Sequence, residues 1–111
     1  MARSRKPLES LLDVAGSRKD RALAHYNLAV FHYSNAREIL AIPHYRLALR
    51  LGLPVNLKLT ALAWLASSLY KTNQSPQALR AIRQCRALGP PSGIASFLDK
   101  LESRIDKKRR R

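Results

Sequence analysis

Residues 24–51 read AHYNLAVFHYSNAREILAIPHYRLALRL, and residues 61–88 read ALAWLASSLYKTNQSPQALRAIRQCRAL. The two stretches overlay when the chain is shifted by 37 residues. Ala24 then meets Ala61, Leu28 meets Leu65, Ala29 meets Ala66 and Tyr33 meets Tyr70. Further on, Ala41 meets Ala78, Arg46 meets Arg83 and Leu51 meets Leu88, with Ile42/Leu79 and Ala48/Cys85 as conservative pairs. Small residues recur where two helices must approach closely, and large ones recur where the gap must be filled. The apolar spacing inside each copy is helical rather than alternating. A fixed period that carries one helix hairpin per copy is the mark of a helical solenoid.

Outward from the repeat, Gly and Pro supply the punctuation. Leu8, Leu11, Leu12 and Ala15 form one stripe of a short helix that follows Pro7 and ends at Gly16. A second helix is expected from about Lys19 to Ser34. Asn35 reads as the N-cap of a third, with Glu38 at the third helical position in a capping-box arrangement. That helix reaches about Leu51. Pro43 falls inside it, where it removes a backbone donor and crowds the carbonyl of Ile39, so a kink is expected. The alternative is a start near Ile42, with Pro43 at the first helical position. A fourth helix runs from about Val55 to Thr72. Ser75-Pro76 then reads as N-cap and first position of a fifth, which ends at Leu88 before Gly89. Ile94, Phe97, Leu98, Leu101 and Ile105 make the apolar stripe of a last helix, and Lys107–Arg111 reads as a frayed basic tail.

These residues resemble the tetratricopeptide repeat. The motif residues are Leu28-Ala29, Tyr33, Ala41 and Ala48-Leu49 in the first copy, and Trp64-Leu65-Ala66, Tyr70, Ala78-Leu79 and Cys85 in the second. The resemblance covers about Leu23 to Leu88. Residues 49–79 also look like a group of small bacterial tetratricopeptide proteins that have no assigned reaction and are suspected dimers. Departures are the period of 37 instead of the family's 34, Pro43 inside the second helix, and His25 and Leu62 where the family has Trp. The fold expected is all-α: a short right-handed solenoid of about two hairpins with flanking capping helices. As one domain it divides into an N-terminal cap (1–18), repeat one (19–53), repeat two (54–89), a capping helix (90–106) and a basic tail (107–111).

In such repeats the first helix of each hairpin lines a concave groove and the second forms the convex back. The resemblance therefore implies a partner groove carrying Tyr26, Val30, Tyr33 and Ser34 from one copy and Ala63, Ser67, Tyr70 and Lys71 from the other. The family's clamp for the C-terminal carboxylates of heat-shock chaperones needs Lys, Asn and Arg in these slots. Val30 and Ser67 stand at the critical ones, so that function is not expected. The groove is open to three occupants: the chain's own N-terminal helix through Leu8, Leu11 and Leu12, a second copy of the chain, or a foreign peptide or helix. The convex side would carry Arg46, Arg50, Arg80, Arg83 and Arg86, joined by Lys107, Lys108 and Arg109 near the C-terminus.

The chain has 111 residues with 21 Lys or Arg against 7 Asp or Glu, a net charge of +14. Half of that excess lies between Ile39 and Leu98, where seven basic residues meet no acid. Such a block forgoes the pairing of opposite charges a turn apart. An acidic protein surface, nucleic acid or an anionic membrane would complement it, and the other reading is a solvated outer face. At 46% apolar the chain holds material for a core, and no apolar run approaches the ~20 residues that span a bilayer. The start Met-Ala-Arg-Ser-Arg-Lys leads into no apolar h-region, so a cytoplasmic location is expected, with a mitochondrial presequence as the other reading.

The residues for catalysis are scarce. A single cysteine, Cys85, leaves no internal disulfide and no Cys-based zinc site, and its small-residue slot implies burial. His25 and His32 lie seven apart, about 10 Å along a helix, which is too far for one ion. With His44 they are expected to pack rather than ligate. There is no Gly-rich phosphate loop, and no carboxylate in the middle block to orient a base. The expectation is a non-enzymatic interaction module, an adaptor without metal or cofactor, that binds another protein or itself. The alternative is a nucleic-acid- or ribosome-associated protein that contacts phosphates through its arginines and C-terminus.

Overall fold

The computed structural model describes residues 17–110. The stripe of Leu8, Leu11, Leu12 and Ala15, and Arg111, lie outside the described residues. The described chain is all-helical: α1 (Arg18–Ser34), α2 (Glu38–Leu51), α3 (Val55–Lys71), α4 (Ser75–Ala87) and α5 (Ser92–Arg109). They fall into two compact units that divide after Pro54.

The first unit is the α1–α2 hairpin. α1 starts at Ser17, whose Oγ accepts a hydrogen bond of 3.0 Å from the Asp20 N–H. This is the capping contact that satisfies one of the orphan donors of a helix start. Arg18 closes the open end of the hairpin. Its Nε donates to the Leu51 carbonyl at 3.0 Å and its Nη2 to that of Arg50 at 3.4 Å. A guanidinium there meets both the unpaired carbonyls and the negative end of the α2 dipole. Between the helices, Ala22, Ala29, Ala41 and Ala48 are fully buried and allow close approach, while Leu28, Ile42 and Tyr45 fill the space. The helix continues through Pro43, so the start near Ile42 is not the one adopted.

Asn35 does not cap α2. Its Nδ2 turns back and donates to the Phe31 carbonyl at 2.8 Å, so it closes the end of α1 instead. α2 begins after Arg37 with no side-chain cap. The reason lies in the turn. The Arg37 N–H reaches the His32 carbonyl and the Ala36 N–H the Tyr33 carbonyl, with Ala36 in the left-handed region at φ 58°. That pair of bonds is a Schellman closure, which takes up the carbonyls at the end of α1 and leaves Asn35 facing backwards.

The same closure recurs in the second unit. The Gln74 N–H reaches the Leu69 carbonyl, the Asn73 N–H reaches that of Tyr70, and Asn73 has φ 63°. Thr72 plays the part of Asn35, with its Oγ1 donating to the Ser68 carbonyl at 2.9 Å. Every one of these residues is the 37-residue partner of its counterpart in the first turn. Ser75 is accordingly the first residue of α4 and not its N-cap; Gln74 flanks the helix and Pro76 follows inside the first turn.

In the second unit α3 packs against both α4 and α5. That double contact explains why α3 is buried over nearly its whole circumference from Ala61 to Leu69, Trp64 excepted. α5 supplies Leu98, Leu101 and Ile105 to this core, and Ile94 and Phe97 are half-buried at its edge. Gly89, at φ 69°, lets the chain leave α4 in a conformation that a side chain would oppose. The expected frayed tail is helical as far as Arg109, because Lys108 is anchored: its Nζ donates to Asn73 Oδ1 and sits 5.2 Å from the centre of the Tyr70 ring. A cation over an aromatic face is attracted by the ring quadrupole.

Candidate functional site

In the first unit the aromatic residues expected in the groove belong in part to the hairpin itself. Tyr26 and Tyr33 are half-buried, and each ring meets the Tyr45 ring edge-on at 6.4 Å between centroids. Tyr45 is completely buried, and its hydroxyl has no hydrogen-bond partner. Burial, reinforced by the neighbouring Tyr26 and Tyr33, pushes that phenol far above its ordinary range. Val30 is half-buried and Ser34 exposed. In the second unit Ala63 and Ser67 are buried and offer no open surface, Tyr70 is half-buried with Lys108 above its ring, and Lys71 is exposed. Phe31, Ile39 and Leu40 are more exposed than any of the expected groove aromatics, at 48%, 67% and 47%, and they flank the α1–α2 turn.

The basic residues sort into two kinds. Arg46 and Arg50 on α2, Arg80 and Arg83 on α4, and Lys107 and Arg109 on α5 are exposed. Arg86 is committed inside its unit. Its Nη2 lies 2.7 Å from Glu102 Oε1 and 3.0 Å from Asp99 Oδ1, which ties α4 to α5. The hydrogen bond that it donates to Glu102, and then the one to Asp99, hold its guanidinium even more firmly in the charged form. Two carboxylates answer one cation there, so Arg86 contributes little to an anion-seeking surface. Within the acid-free block of the sequence, Arg86 meets its acids from α5.

The three histidines form a cluster. His44 of α2 reaches across the hairpin, and its Nδ1 lies 3.0 Å from Nδ1 of His25 on α1. Their ring centroids are 5.2 Å apart with the planes inclined by 25°. That separation nearly equals the N···N gap plus two ring radii, so the nitrogens face each other almost head-on. This is the geometry of an N–H···N hydrogen bond. Two lone pairs that converge on a metal would meet at an angle. His32 lies on the other side of His44, with centroids 6.0 Å apart and planes inclined by 19°, and its own Nδ1 is buried without a partner. Among the described residues no group of three or more His, Cys, Asp or Glu is assembled for a metal ion. Burial first, and then the positive charge of Arg21, lowers the pKa of His25 below its ordinary 6.5.

The spacing of His25 and His32 along one helix gave no sign of this cluster, because the ring that joins them comes from the next helix. The internal repeat does carry a signal. The 37-residue partners of His25, His32 and His44 are Leu62, Leu69 and Ala81, which are 2%, 1% and 4% exposed. The first unit has titratable rings where the second has apolar core.

Cys85 is buried at its small-residue position, with its thiol against the Leu59 carbonyl at 3.5 Å, and burial pushes the thiol pKa up. Among the described residues no helix is long and apolar enough to cross a membrane. Compared with protein-family models, curated proteins and solved structures, the chain matches none.

Proposed function

We propose that the chain is a non-enzymatic interaction module of the tetratricopeptide-like kind, a small cytoplasmic adaptor with a strongly basic surface that binds another protein or a second copy of itself. The observation that carries this reading is the duplicated hairpin, alike down to the left-handed turn residues Ala36 and Asn73. Duplicated hairpins are the building unit of solenoids, whose business is to present surface rather than to enclose a reaction. The exposed Phe31, Ile39 and Leu40 support it, because apolar residues gathered at one turn are the kind of surface a partner covers.

The test is site-specific photo-crosslinking from Val30, Lys71 and Leu40, with Arg83 as the comparison position, together with light scattering. Crosslinks to one defined protein or to a second copy are expected from the first three positions. A clean 12.5 kDa monomer that gives no crosslink from any of them would sink the reading.

A second reading has its own observation. Arg46, Arg50, Arg80 and Arg83 are exposed in a stretch of sequence without one carboxylate. Phosphate contacts through them would make the chain a nucleic-acid- or ribosome-associated protein. Binding would then weaken with salt, the log of affinity falling by about 0.9 per neutralised phosphate for each log unit of salt. Absent or salt-insensitive binding to labelled RNA and DNA would remove it.

A further inference from the structure

The His25–His44 contact joins the two helices of the first unit through a bond whose existence depends on protons. Two neutral imidazoles that face each other through Nδ1 can share one hydrogen: one ring carries Nδ1–H and donates, and the other accepts with its lone pair. A first added proton goes to Nε2 of the ring that donates and leaves the Nδ1–H···Nδ1 bond in place, now charge-assisted. A second proton has to enter at the accepting Nδ1. It removes the acceptor and sets two cationic N–H groups against each other across 3.0 Å. We propose that the His25–His44 pair is a proton-sensitive clasp, which holds the first hairpin closed while it carries at most one proton and releases α1 from α2 when acidification delivers the second.

Along α1 and α2 the charges next to the pair are positive. On α1, Arg21 lies one turn before His25 and its charge opposes further protonation there. His32, also on α1, lies against His44 and brings a third titratable ring to the same place. On α2, Arg46 and Arg50 follow His44 and are exposed, and Tyr45 stays in its neutral form. The carboxylates of these two helices are Asp20 and Glu38, one in the first turn of each. His44 stands six residues beyond Glu38, and His25 five beyond Asp20.

The sign follows from linkage. His25 has a folded pKa below its unfolded value of 6.5, so its contribution to stability is complete above pH 6.5 and is lost as pH falls through the lower folded value. The second unit has no such response in this range, since residues 55–111 contain no histidine. The pairing with Leu62, Leu69 and Ala81 sharpens the contrast, because the same architecture is built once with rings that titrate and once without.

Hydrogen exchange on the full chain, corrected for the intrinsic pH dependence of exchange and read separately for 18–51 and 55–109, tests the clasp. Between about pH 7.5 and pH 5, protection in α1 and α2 should fall by about tenfold or more, while that in α3–α5 stays within about threefold. Replacing the pair by its repeat partners, His25→Leu with His44→Ala, should abolish the response of the first unit. His32→Gln should retain it. Should the double variant fail to fold, imidazole titration of the wild-type chain by NMR decides. Two separated steps, the second well below 6.5, support the clasp. Independent titration of both rings near 6.5, equal protection at the two pH values, or loss of the response in His32→Gln overturns it.

Discussion

Ala36 and Asn73 hold the same left-handed backbone conformation, at φ 58° and 63°, each two residues before the next helix begins and each inside the same pair of closing hydrogen bonds. The two side chains suit that conformation unequally. Asn tolerates it through local hydrogen bonding, whereas an Ala Cβ crowds the following carbonyl at a cost of about 1–2 kcal/mol. Ala36→Asn should therefore stabilise the first unit by about 1 kcal/mol. Ala36→Gly should gain less, because glycine also loosens the unfolded chain. Urea denaturation, with hydrogen exchange to separate the units, measures both. A loss of stability in Ala36→Asn would mean that the turn is not left-handed at that residue.

Pro43 offers a second handle on the same unit. It is exposed and lies inside α2, where it cannot donate to the Ile39 carbonyl. An interior proline costs a helix up to about 3 kcal/mol relative to alanine. Part of that is offset because proline stiffens the unfolded chain. Pro43→Ala should raise the stability of the first unit by about 1–2 kcal/mol and leave the second unchanged. An unchanged denaturation midpoint would show that the helix is bent there in a way that alanine cannot relax.

Much of the helical content was legible because amphipathic spacing and the repeat carry their message locally. Leu98, Leu101 and Ile105 are buried as their stripe requires, and the ends of α1, α3 and α4 fall within a residue of where the punctuation places them. What escaped was whatever depends on a partner from another helix or on backbone hand. Asn35 beside Glu38 looks like a capping box until Ala36 turns left-handed and swings the amide towards Phe31. Ser75 before Pro76 looks like a cap until the same closure sets the helix start one residue earlier. Arg86 reads as one more surface cation until Asp99 and Glu102 arrive from α5. Lys108 reads as tail until Tyr70 and Asn73 hold it. His44, 19 residues from His25, has no local signature at all.

Tyr45 yields a prediction at the alkaline end. Its hydroxyl is buried with no partner, and burial raises the phenol pKa above its ordinary 10. A raised folded pKa means that the contribution of this group to stability is complete below pH 10 and is lost as pH rises above it. The first unit should therefore unfold more readily above pH 10, with Tyr45 ionising only as it opens. Tyr45→Phe removes both the alkaline loss and an unsatisfied buried hydroxyl, which costs about 1–3 kcal/mol to leave unpaired. The variant should be at least as stable as the parent at neutral pH and more stable in alkali, as read by thermal melts and ultraviolet titration of the phenolates. A clear destabilisation at neutral pH would mean that the hydroxyl has a partner, such as a bound water.

The division of the arginines into free and committed makes the anion reading testable residue by residue. Arg80 and Arg83 are exposed one turn apart on α4, while Arg86, on the next turn, is engaged by Glu102 and Asp99. If the chain contacts phosphates through α4, neutralising Arg80 and Arg83 together should lower the salt slope of RNA or DNA binding by about 2 and weaken affinity uniformly across sequences. Arg86→Gln should not take a further unit from the slope, because its charge is already answered within the unit. Freeing Asp99 and Glu102 should even add local repulsion and weaken binding without changing the number of contacts. Stability should scarcely move in any of these variants, since exposed ion pairs contribute about 0–1 kcal/mol. A slope that drops equally for Arg86 and for Arg83 would place the binding surface on the α4–α5 side and require the Arg86 pairs to open on binding. A slope that ignores all three would move any anion contact to Arg46 and Arg50 on α2 or to Lys107 and Arg109 on α5, where the same substitutions decide it.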